Sequence, residues 1–326
     1  MTSRRKASER RRAPQRGVTL VELMVAMAIG LLVILAASIA FLAGKKLFNT
    51  DADVQAMQDS LRFTRYVVQS VVRQAGYADY APDRLSDGVA VIASNAALLG
   101  SGAGTDDLNV VGASNTTVKR DDGSVGTNDS DAVAQNDSLL VRYFGRSKAG
   151  DDTEDGTIID CLGNAQKGPS STPTAADRVW SFFYVAVGTD GVPALYCKYR
   201  TAKGNFTAEQ LARGVEKFKV VYGYDADGDS VPEAWIDAKS IDLKAKASGS
   251  QVNVEWRKVV AVRVGIVVRS DRANGDLKKV KEQSYTLYPL GLEFKDTVSF
   301  EPPDDGRFRS VATFTLMLRN VMKDPT

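Results

Sequence analysis

The stretch Gln15–Gly44, "QRGVTLVELMVAMAIGLLVILAASIAFLAG", decides the fold. Between Glu22 and Lys45 it carries no charge. At about 1.5 Å of rise per helical residue, Leu23 to Gly44 covers roughly 33 Å, close to the hydrocarbon thickness of a bilayer. By length alone this is a membrane helix. The question is the carboxylate at its head, because a charge within an apolar segment is costly unless it is paired or close to the interface. Glu22 is therefore a functional candidate, with a boundary residue lying among headgroups as the plainer alternative.

The flanks narrow the choice. Residues 1–17 hold seven bases against one acid, Glu9. This asymmetry keeps the N-terminus cytoplasmic and sends the rest of the chain outward. A secretory signal would have a shorter apolar core followed by a small-residue cleavage site. Here the small residue, Gly17, stands before the apolar run, so cleavage after it would remove the basic leader and leave the helix attached. The order Gly17, Val18, Thr19, Leu20, Val21, Glu22 resembles the type IV prepilin signature. The resemblance implies that a membrane aspartyl peptidase cuts after Gly17 and N-methylates Val18, and that Glu22, fifth in the mature chain, aligns the subunit during assembly by meeting the Val18 ammonium of a neighbour. Val18 departs from the phenylalanine usual at this place.

Composition has to be read without the leader. Removing a +6 leader from a +2 chain leaves the mature protein at −4, so the basic pI belongs to the leader. Lysines and arginines beyond it are scattered among acids, and no nucleic-acid footprint is evident. Histidine is absent, which excludes Ser-His-Asp and Cys-His nucleophile arrangements and His-bearing zinc sites. A carboxylate-pair hydrolase stays conceivable, yet no pair is marked out. The expectation is a protein that is not an enzyme. The two cysteines, Cys161 and Cys197, fall on the exported side, where disulfides persist, and two leaves none unpaired. Two separate buried thiols are the alternative.

Beyond the membrane run, Val54, Met57, Leu61, Val68, Val71 and Ala75 recur at helical spacing with polar residues between them. No proline interrupts, and Gly76 in "RQAGY" is a suitable C-terminal cap. One helix from about Val18 to Ala75 follows, apolar all round in its first half and amphipathic in its second. From Ala78 to about Ser138 the chain is rich in Gly, Ser, Asn and Asp, which marks loops, with "LNVVGA" and "DSLLVRYFG" as short strands. Later runs such as "RVWSFFYVAVG", "PALYCKYR", "VEKFKVVYGYD", "EWRKVVAVRVGIVVRS" and "FRSVATFTLMLRN" read as strands of an antiparallel sheet with one face on the long helix. The fold class is α+β. It divides into a leader (1–17), a transmembrane half-helix (18–44), an amphipathic half-helix (45–76) and a β-rich extracytoplasmic domain (77–326).

The run "DADGDSVPEAWID" places Asp225, Asp227 and Asp229 at alternate positions, followed by Glu233 and Asp237. Alternating acids around a turn can point several oxygens at a hard cation such as Ca2+, with Val231 offering its carbonyl. Against the EF-hand pattern, Gly228 falls two positions early and Ile236 occupies the place of the bidentate glutamate. A solvated turn between strands is the competing reading.

Together, "VRQAGY", the "CLG" and "LYC" pair, "ARGVEKFKVVYGYDADGDS", "WRKVVAVRVGIVVRS" and "RFRSVATFTLMLRN" resemble the PilW family of type IV pilus minor pilins. The resemblance implies a type IV pilin-like fold and a low-abundance subunit processed by prepilin peptidase. Such a subunit sits in the inner membrane with its globular domain in the periplasm, then joins other minor pilins and the major pilin in a tip complex that primes assembly, often beside a large adhesin. A type II secretion pseudopilin of the GspJ kind and a membrane-anchored calcium-binding module are the other readings.

Overall fold

The computed structural model describes residues 17–77, 108–121, 123, 133, 135–149, 151–169, 177–201, 204–273 and 286–320. The basic leader up to Arg16 and most of the polar stretch from Ala78 to Ser138 lie outside the described residues. Helix α1 (Leu20–Arg73) is unbroken, and the chain divides along it into two compact units, one ending at Ala52 and one running from Asp53. In the first unit the apolar side chains are exposed all round, as a lipid-facing or filament-facing surface requires. Ser38 turns its hydroxyl onto the Ile34 carbonyl at 2.8 Å, so its polar group is satisfied within the helix.

The second unit begins at Asp53 rather than at residue 77, because the amphipathic half of α1 is part of its core. Met57, Leu61, Val68, Val71 and Val72 are buried, and Val54 packs against them. The helix ends in a turn closed by Gly76 at φ 69°, whose N–H donates to Arg142 O at 2.9 Å. A Cβ at Gly76 would come within 2.3 Å of Asn109 Nδ2, so glycine is needed for space as well as for its positive φ.

Among the described residues, the β-strands form two antiparallel sheets. The first follows chain order: β1 (Val110–Thr116), β2 (Asn136–Phe144), β3 (Arg178–Val187), β4 (Pro193–Arg200) and β5 (Phe206–Arg213). The second contains β6 (Val215–Tyr224), β7 (Ala234–Ile236), β8 (Val259–Ala273) and β9 (Arg307–Met317), in the order β7-β6-β8-β9. The period of two assigns the faces of β3. Val179, Phe183 and Val185 join the main core with α1 and the second sheet, while Trp180, Phe182 and Tyr184 form a separate aromatic layer with Leu140 and Tyr196. The central strands β2 and β3 are thus buried on both faces, while the edge strand β5 is mostly exposed or half-buried.

Among the described residues, two α-helices interrupt the β-rich half. Helix α2 (Ala238–Ser248) is capped at its start by Asp237, whose carboxylate accepts from Ser240 N at 2.9 Å, and closed by Gly249 at φ 70°. Helix α3 (Val252–Arg257) takes up the beginning of "EWRKVVAVRVGIVVRS", so the strand expected there starts only at Val259.

Candidate functional site

The N-terminal end of α1 is built by its own sequence. Thr19 precedes the first helical residue, and Glu22 N donates to Thr19 Oγ1 at 3.2 Å. In return Glu22 Oε2 accepts from Thr19 N at 2.9 Å and from Thr19 Oγ1 at 3.0 Å. This reciprocal capping box satisfies helix N–H groups that would otherwise be left without partners. The Thr-x-x-Glu spacing announces the box in the sequence, yet treating Glu22 only as a charge near a membrane passes over it. The cap engages one carboxylate oxygen; Oε1 has no hydrogen-bond partner among the described residues and can accept a donor from outside the chain. Gly17 and Val18 are exposed. No described atom lies within 4 Å of where a Cβ on Gly17 would be, so packing does not require a glycine there.

Cys161 and Cys197 are joined in a disulfide with their Cα atoms 6.5 Å apart, and both are buried. Cys197 is on β4; Cys161 lies in the connection from β2 to β3. Asp160 organises that connection, accepting from Leu162 N and Asn164 N at 2.9 Å each and from Asn164 Nδ2 at 3.0 Å. The end of α1 holds the same loop: Gln74 Nε2 donates to Ile159 O at 3.0 Å, and Ile159 N donates back to Gln74 Oε1 at 2.9 Å. Tyr143 Oη adds a bond to Ile159 O at 2.8 Å. The disulfide therefore fastens β4 to a loop that is itself hydrogen-bonded to the turn following the long helix.

The acidic run forms the turn from β6 to β7. It brings together Asp225, Asp227, Asp229 and Glu233, each with one carboxylate oxygen within 4.8 Å of the others'. Asp237 is elsewhere, serving as the cap of α2. Asp225 is buried and the other three are exposed. Backbone donors hold the acids in place: Asp225 Oδ1 accepts from Gly228 N at 2.6 Å, Asp225 Oδ2 from Ser230 N at 2.8 Å, and Glu233 Oε2 from Ala226 N at 2.6 Å. Burial pushes the Asp225 carboxyl up, but the N–H groups of Gly228, Ser230, Asp229 and Asp227 outweigh it and hold the group below its ordinary range. Val231 is exposed, and its N–H donates to Asp229 Oδ1 at 2.7 Å. The set could hold a hard cation through carboxylate oxygens.

Residues 182–320 match the family model described as Type IV Pilus-assembly protein W, and residues 12–38 match the prokaryotic N-terminal methylation motif. The chain is type IV pilin-like, with a PilW domain and a prepilin methylation motif. The methylation-motif match contains the Gly17–Glu22 series and most of the apolar run, and the PilW match runs from the middle of β3 through β9, taking in Cys197 and the acidic turn. Among solved structures, a type IV-like pilin from Thermus thermophilus aligns with 82% of the chain and 97% of its own length, at 13% identity and a TM-score of 0.34. No curated protein matches.

Proposed function

We propose that this PilW-family pilin is a minor subunit of a type IV pilus, cut by prepilin peptidase after Gly17 and methylated at Val18. It waits in the inner membrane with its second unit in the periplasm, then joins other minor pilins and the major pilin in a tip complex that primes assembly, with a large adhesin as a further partner. Its role is structural, not enzymatic. The observation that carries this reading is Glu22, a carboxylate in the first turn of a helix whose next 22 residues, Leu23 to Gly44, are uncharged, with one oxygen in the cap and the other able to receive the Val18 ammonium of a neighbouring subunit. Buried in an apolar filament core, such a pair is strongly directional, since either charge alone would be heavily penalised.

The test is co-purification. With Glu22→Gln, which keeps a side-chain oxygen for the cap but removes the charge, membrane insertion should persist while recovery with partner pilins falls. Recovery equal to wild type would remove Glu22 from assembly. A type II secretion pseudopilin would share the leader and helix, and co-purification with secretion components in place of pilus components would identify it. For the acidic turn we propose calcium as its ligand, held by Asp225, Asp227, Asp229 and Glu233. The support is the convergence of the four carboxylates, and a calcium-dependent rise in melting temperature is its test.

A further inference from the structure

Strand β1 carries a bulge. Ala113 pairs with Ser138 and Thr116 with Asn136, so Ser114 and Asn115 together oppose Asp137. Asn115 sits at φ 50°, a left-handed conformation that asparagine tolerates better than most residues. Its N–H donates to Asp137 Oδ1 at 2.9 Å, while its side chain reaches β6 of the other sheet, where Asn115 Oδ1 accepts from Lys219 Nζ at 2.7 Å. The bulge therefore aims one side chain of the first sheet at one of the second.

The same lysine nitrogen donates to Asp137 Oδ1 at 2.6 Å and to Gln135 O at 3.5 Å. Lys219 and Asp137 are buried, at 7% and 4% exposure. Val220 N holds the second oxygen of Asp137 at 2.8 Å, so the carboxyl group cannot swing away. An ion pair would need only Lys219 and Asp137. Here a carboxamide is placed on the same nitrogen, which brings one amine against both a proton acceptor and an amide carbonyl. Taking an ion pair out of water favours the neutral acid and amine over it, and a neutral lysine amine is a nucleophile.

We propose that Lys219 and Asn115 join in an intramolecular isopeptide bond, with Asp137 moving the protons. Asp137 Oδ1 takes a proton from Nζ, and the freed electron pair attacks Asn115 Cγ as the carbonyl π pair shifts to Oδ1. When the C=O re-forms, the Cγ–Nδ2 bond breaks with its electron pair on Nδ2. Two protons leave Nζ and two arrive on Nδ2 by way of Asp137, one hydrogen stays on the new amide, and the positive charge of the lysine departs with the ammonium. No oxidant or other reactant is consumed. The three residues line a cavity of about 830 Å3 and Asn115 is exposed, so the ammonium has an exit. The bond ties one sheet to the other, which the disulfide does not: Cys197 is on β4 and Cys161 lies between β2 and β3, all in the first sheet.

The test is mass spectrometry of the full chain from membranes, digested with trypsin after reduction. Trypsin does not cut at an acylated lysine. The expected product therefore joins the peptide ending at Lys119 to the one running from Phe218 to Lys239, with the loss of one ammonia, about 17 Da. In Asp137→Asn and in Asn115→Gly the joined peptide should disappear. Asn115→Gly relieves the positive φ and should fold, yet melt below wild type, because it reopens a loop with a sequence separation of 104 residues. Separate peptides from wild type, with Lys219 cut as an ordinary lysine, would overturn the proposal and leave a buried ion pair. So would the loss of one water with the Asp137-bearing peptide attached instead, which would move the bond to Asp137. A joined peptide that persists in Asp137→Asn would overturn the role given to that carboxyl group.

Discussion

Breaking the Cys161–Cys197 bond should cost this protein a large share of its stability. The bond closes a loop with a sequence separation of 36 residues. In the chain-entropy model a loop of that size restricts the unfolded chain by about 4 kcal/mol at 25 °C. Both sulfurs are buried and the surrounding loop is anchored by Gln74, Tyr143 and Asp160, so the native geometry should largely survive replacement by alanine. The effect should then appear in the unfolded state. Against a domain of this size, about 4 kcal/mol corresponds to a fall in melting temperature of roughly 8–16 °C. Urea denaturation of the detergent-solubilised chain is the assay, comparing wild type, wild type with reductant, and the Cys161→Ala/Cys197→Ala double variant. Reduced wild type and the double variant should share one lowered midpoint, and each single variant should lose nearly as much as the double. A loss below about 1 kcal/mol in all three would refute the entropic reasoning, because so small a change would mean that the unfolded chain is already restricted without the bond.

Other expectations follow from named contacts. Gly265→Ala places a methyl about 1.9 Å from Pro289 O, a backbone atom that cannot rotate aside. It should destabilise by roughly 1–3 kcal/mol in thermal melts, and a melting temperature equal to wild type would show that the backbone of Pro289 yields. Asp227→Ala should abolish any calcium-dependent rise in melting temperature, and a wild-type chain insensitive to added calcium would remove the ion from the acidic turn. Burial pushes Asp305 up, but Arg309 and Arg307 outweigh it and hold its carboxyl below the ordinary value. Its contribution to stability is therefore full above the unfolded carboxyl pKa of about 4 and lost as pH falls through the lower folded value. Asp305→Asn should accordingly flatten the acid limb of the stability curve, and an unchanged limb would show that the pairing carries no weight.

The architecture was legible where local pattern and tertiary demand agree. The uncharged run after Glu22, the spacing of Met57, Leu61, Val68 and Val71, and the β-branched or aromatic runs that become β2, β3, β4 and β6 all state their structure in sequence. "FTAEQLAR" does not: its Ala, Glu, Gln and Leu favour a helix, yet pairing with β4 from Ala194↔Arg213 to Arg200↔Phe206 makes it the edge strand β5. The division into two sheets is equally hidden, because period two says which residues share a face and not which strand is the neighbour. At the site, Gly17, Glu22, the cysteines and the acids announce themselves by residue type. The Lys219 cluster does not. Asn115 and Lys219 are 104 residues apart, and only the packing of the first sheet against β6 brings them together.

The measurement that tests the central claim most directly is the N-terminal mass of the mature protein from membranes of cells with and without prepilin peptidase. A chain that begins at methylated Val18 only when the peptidase is present is the predicted result. A chain that keeps residues 1–17 in both would contradict it, leaving a signal-anchored surface domain in which Glu22 only caps its helix.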